Sequence, residues 1–161
     1  MKETTPDNKL IAEQILADDV IEENAWTKAK LSSEKLLQEN PQNINAAFNL
    51  SVSLFNLGDY QSAVSEFEKI ETSLSKRTLW YQIEPLLAYQ KLKRYDELLP
   101  RIEKILSYHN RAFSELYQIR GEIYREQGNI EAARSEFEKA NLYNKNFAPA
   151  IQALESLNGE N

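Results

Sequence analysis

Apolar residues recur at intervals of three and four along most of the chain. In the second quarter they fall at Leu50, Leu54 and Leu57, then at Tyr60, Ala63, Val64, Phe67 and Ile70, the spacing of a buried helix face. Gly58 interrupts the pattern, so two helices joined by a tight turn are predicted. Glycine takes the left-handed conformation that ends a helix without steric penalty, and Asp59 after it is a good helix N-cap. The arrangement returns at Gly128 and Asn129, and the residues SEFEK of positions 65–69 recur unchanged at 135–139.

Midway between the two glycines lies a third copy. Tyr95, Leu98, Ile102 and Ile105 stand 35 positions after Tyr60, Ala63, Phe67 and Ile70, and 35 before Ile130, Ala133, Phe137 and Ala140. Here Lys93 occupies the glycine position, at a cost of about 1 kcal/mol if the same turn is kept. A fainter copy precedes these, in which Asn24, Trp26, Ala29 and Leu36 stand 34 before Gly58, Tyr60, Ala63 and Ile70. A turn at Asn24 is therefore expected. A period of this length marks a solenoid, in which each unit is too small to bury its own apolar face and stacks on its neighbours. Pro85 inside the first helix of the third unit predicts a kink or a late start. Pro100, about a turn after Asp96, is expected to be tolerated.

The fourth unit, YQIRGEIYREQGNIEAARSEFEKA, resembles the tetratricopeptide repeat, with Tyr117, Gly121, Tyr124, Ala133, Phe137 and Ala140 at that family's aromatic and small sites. The second unit offers Leu50, Ser51, Leu54, Ala63 and Phe67. The first keeps Ala17, Ala29 and Pro41 with Ser33 at an aromatic site, and the third has Leu86 and Leu98 at both small sites. The resemblance implies an all-α fold, a right-handed superhelical solenoid of four helical hairpins closed by a C-terminal capping helix. The units are expected at about 10–43, 44–78, 79–113 and 114–147, the cap at 148–157, within one domain over 8–157 flanked by tails at 1–7 and 158–161. Nine helices follow from this plan. Leu86 facing Leu98 is expected to wedge the third hairpin open.

In the family resembled, the first helices of successive hairpins line a groove that receives extended peptides or partner helices. Carried onto this sequence, the partner-binding residues are Phe48, Asn49, Val52, Phe55, Trp80, Ile83, Leu87, Glu115, Glu122 and Glu126. Some members clamp a C-terminal carboxylate with lysines, an arginine and asparagines. Only Asn49 matches that set, and Gln14 and Trp80 fill the lysine sites. A partner with basic residues flanking apolar anchors suits the groove better. The competing view is that Phe48, Phe55 and Trp80 pack as core.

Composition narrows the function. With 19 basic against 25 acidic residues the net charge is −6, which disfavours nucleic acid and anionic membranes as partners. There is no cysteine, so no disulfide or thiolate chemistry is available, and a cytoplasmic setting is the default. No run of 18 apolar residues is present to cross a bilayer, and the opening residues are too polar for a signal peptide. The chain could equally be a soluble fragment of a longer protein.

Catalytic apparatus is not evident, and no cofactor or metal is expected. His109, the single histidine, has no second histidine or cysteine with which to share a metal. Asp18, Asp19, Glu22 and Glu23 lack the glycine turn and spacing of a calcium loop and read as a solvated helix face. The sequence thus points to a noncatalytic scaffold for a protein or peptide partner. The alternatives are a self-association module forming a homodimer, a tethering domain of a larger protein, and an enzyme.

Overall fold

The computed structural model describes the backbone of residues 6–75 and 82–159 and the side chains of residues 20–75 and 82–159. The described residues are all helical and contain no strand: α1 (Pro6–Glu39), α2 (Ile44–Asn56), α3 (Tyr60–Ile70), a 3-10 turn (Glu71–Ser73), α4 (Glu84–Lys91), α5 (Tyr95–Tyr108), α6 (Ser114–Glu126), α7 (Ile130–Tyr143) and α8 (Ala148–Gly159). The chain divides into two compact units, Met1–Glu71 and Thr72–Asn161.

In the first unit α2 packs against both α1 and α3. Its buried side chains include Ala46, Ala47, Phe48, Leu50, Val52 and Leu54, as expected of a helix covered on more than one face, while Asn45, Asn49 and Asn56 stay exposed. Two side-chain caps start its hairpin: Asn43 accepts from the Ala46 N–H (3.1 Å) and Asp59 from the Ser62 N–H (3.1 Å). Ser51 is fully buried and donates to the Ala63 carbonyl (2.7 Å) across the hairpin.

The expected turn at Asn24 is absent, because α1 runs unbroken from Pro6 to Glu39. Asn24 instead donates its Nδ2 hydrogen to the Val20 carbonyl one turn back (2.8 Å). Asparagine in a helix interior costs well under ~1 kcal/mol relative to alanine, whereas a reversal would forgo hydrogen bonds that an uninterrupted helix keeps. One helix therefore occupies the span in which two were expected.

In the second unit both hairpins form, α4 with α5 and α6 with α7, and α8 covers the last one. The anticipated turns are present. Gly58 and Gly128 have φ of +81° and +76°, and Lys93 has φ +55°, so the lysine adopts the conformation its glycine counterparts do. All three turns share one bond pattern, Asp59 N–H to Leu54, Arg94 N–H to Tyr89 and Asn129 N–H to Tyr124, the six-residue closure of a Schellman motif. Asn129 also caps α7, accepting from the Ala132 N–H (3.2 Å).

Helix α4 starts late, at Glu84, with Pro85 in its first turn, where a missing N–H costs nothing. Pro100 lies inside α5 without ending it. Leu86 and Leu98 are buried, and α4 meets α5 less extensively than α6 meets α7. In the latter pair Gly121 lets the helices close: a Cβ there would lie 2.5 Å from Phe137 Cε1. Ala133, Phe137, Ala153 and Leu157 form one core cluster with Tyr124 and Leu154 packed against it, which seats α8 as the cap.

Candidate partner-binding surfaces

Residues 118, 122 and 125 share one face of α6, three and four apart. Glu122 is the hub of that face in the second unit. Its carboxylate accepts from Gln90 Nε2 on α4 (2.7 Å) and from Gln118 Nε2 one turn earlier (3.0 Å). These bonds tie the first helix of one hairpin to the first helix of the next. At the end of α6, Glu126 Oε2 accepts from the Tyr95 hydroxyl (2.6 Å) and pairs with Lys93 Nζ (3.4 Å). The Tyr95 hydrogen bond, followed by Lys93, holds the Glu126 carboxyl below its usual range. Burial and the same Glu126 contact push the Tyr95 phenol up to about 12.

Beside Glu122, a groove of about 280 Å³ runs between α6 and α8, lined by Gln118, Glu122, Arg125, Pro149, Gln152, Ala153 and Ser156. Gln118 is only 8% exposed, and its Oε1 has no hydrogen-bond partner among the described residues. An unmatched buried acceptor costs about 1–3 kcal/mol. The amide cannot simply be turned over, since its oxygen would then face the Glu122 carboxylate.

The expected binding residues divide by position. In the first unit Phe48 and Val52 are buried, at 5% and 8% exposure, and belong to the core because α2 is covered by both its neighbours. Asn49 is exposed and Phe55 half-buried, the latter with its ring 5.5 Å from that of Tyr60. A recess of about 260 Å³ lies between Glu22, Glu23 and Trp26 of α1 and Asn56 of α2. In the second unit Ile83, Leu87, Glu115 and Glu122 are half-buried and Glu126 is exposed. Trp80 lies outside the described residues. The alignment of Glu122 and Gln118 with Gln90 was not anticipated, nor were Gln152 and Ser156. Their signal was present, since Pro149, Gln152 and Ser156 alternate with the apolar Ala150, Ala153 and Leu157 along α8, but a cap read only for its buried face hides it.

No group of three or more histidine, aspartate or glutamate side chains among the described residues could hold a metal ion. No helix among them is long and apolar enough to cross a membrane.

Helical hairpins closed by left-handed turns at Gly58, Lys93 and Gly128, with a small residue between the last pair of helices and a capping helix, define a helical-repeat protein. The family model for anaphase-promoting complex, cyclosome, subunit 3 matches residues 22–105, and that for the tetratricopeptide repeat matches residues 114–147. The chain belongs to the tetratricopeptide repeat family. The crystal structure of MamA is similar, with a TM-score of 0.72 at 14% identity over 99% of this chain and 86% of that one. At that identity the likeness speaks for the fold alone. No curated protein matches the sequence. Domains of the family generally mediate protein–protein interaction.

Proposed function

We propose that the chain is a noncatalytic scaffold that docks an extended peptide or a helix of another protein along the first helices of its hairpins. The observation that carries this reading is Gln118: a buried, unmatched acceptor lining the α6–α8 groove is satisfied by a donor arriving from outside, such as a peptide N–H. Glu115, Glu122 and Glu126 flank it on α6 against Arg125, the single cation of the groove lining, so basic residues beside an apolar anchor suit this face better than a terminal carboxylate. Ile83, the residue before α4, and Leu87 on that helix extend the proposed surface; Trp80, the remaining expected contact, lies outside the described residues. On α2, Asn49 and Phe55 are the proposed contact residues of the first unit, with Phe48 and Val52 supporting them from within.

Ser156 is exposed on the groove wall, so Ser156→Trp fills the groove without disturbing the core. Capture from cell lysate is expected to yield a partner on the wild-type chain and to lose it on Ser156→Trp at unchanged helicity. Equal recovery on both chains refutes the groove.

A further inference from the structure

Successive helical residues are turned about 100° apart, so Tyr117 and Arg120 point away from the face that carries Gln118. They line a second recess of about 420 Å³ between α5, α6 and α7, a size typical of ligand pockets. The Tyr117 and Tyr143 rings are stacked there, with centroids 5.4 Å apart and planes 20° apart. Leu142, 67% exposed, lies beside them.

The charges of the recess are unequally committed. Arg120 donates from Nε to Glu136 Oε2 (2.7 Å) and from Nη1 to Glu103 Oε2 (2.7 Å). Lys139 pairs with the other oxygen of Glu136 (2.8 Å). Arg111 is different. Its carbonyl accepts from the Tyr117 hydroxyl (2.9 Å), which fixes its backbone at the recess. Its guanidinium is exposed and makes no ion pair among the described residues. Three cations against Glu103 and Glu136 leave one positive charge unbalanced, in a chain whose net charge is −6.

We propose that this recess docks a segment of another protein in which an aliphatic or aromatic side chain stands next to a carboxylate. The stacked rings and Leu142 receive the apolar group, and Arg111 pairs with the carboxylate. One uncommitted guanidinium matches a monoanion. A doubly charged phosphate would face the Glu103 and Glu136 carboxylates with only that single cation to offset it. The acidic excess elsewhere repels such a segment and steers it to this site. The recess differs from the α6–α8 groove in face and in the charge it favours.

The probe is a phage-displayed random dodecapeptide library selected on the full chain. Enriched peptides are then titrated by fluorescence anisotropy against the wild type, Arg111→Glu, Leu142→Asp and Ser156→Trp. Arg111 and Leu142 are both exposed, so neither change touches the core. An enriched class with Asp or Glu beside Leu, Phe, Tyr or Trp is expected. Its affinity should fall about three- to tenfold on Arg111→Glu and on Leu142→Asp and stay unchanged on Ser156→Trp. The proposal is overturned if no such class emerges, if its binding ignores both recess variants, or if a phosphoserine version binds more tightly than the Glu version. Sedimentation showing a dimer that Arg111→Glu dissociates also overturns it, because the occupant is then a second copy.

Discussion

Gly121 faces the ring of Phe137, which is fully buried and cannot swing aside. Alanine is the better helix former by up to about 1 kcal/mol, but the added methyl overlaps the ring, and overpacking costs about 1–3 kcal/mol. Gly121→Ala is therefore expected to lower stability by about 1 kcal/mol, read as a lower urea midpoint, and a higher midpoint would refute the close approach. Tyr117 makes a second residue-scale prediction. Burial, and then the neighbouring Tyr143, raise its phenol from 10.0 to about 12, and Tyr95 is raised likewise. A group whose folded value is raised contributes stability that is complete below its unfolded value and is lost as pH rises through the folded one. Stability should thus fall between pH 10 and about 12. Tyr117→Phe should flatten part of that fall, and an unchanged slope would contradict the assignment.

Among the elements, the turn between α4 and α5 holds the one described non-glycine residue with positive φ, Lys93. Glycine relieves the left-handed strain of about 1–2 kcal/mol and gives back part of it as unfolded-chain entropy. Lys93→Gly should therefore stabilise the chain by about 0.5–1 kcal/mol in urea melts. Loss of stability would mean that the Lys93–Glu126 pair matters more than its exposure suggests. This turn was legible because three apolar registers located it independently, and the late start of α4 because proline forbids few things but forbids them firmly. The first unit was misread for a related reason. Its register rested on Asn24, a residue that a helix interior also accepts, and the faint periodicity could not distinguish a reversal from continuation. The face of α2 was half legible: spacing identified Phe48, Asn49, Val52 and Phe55 as neighbours on a helix, but not that α1 and α3 together bury two of them. The Gln90–Glu122–Gln118 network is a contact between helices 32 positions apart, and no spacing within a single helix reports it.

For the molecule as a whole, the fold belongs to a family whose domains generally mediate protein–protein contacts, and the proposed role follows from where this chain leaves polar groups unmatched. Gln118 keeps an open acceptor in a groove whose lining sets Glu122 against Arg125, and Arg111 keeps an open cation in an aromatic recess. The two proposed docking surfaces are therefore expected to favour partners of opposite charge. The most direct measurement is an amide chemical-shift map of the full chain, titrated with the binding segment of whichever protein the wild type captures and Ser156→Trp does not. The shifts are expected to cluster on Gln118, Glu122, Gln152 and Ser156. Shifts confined to the far sides of α3 and α7, with Gln118 unmoved, would contradict it.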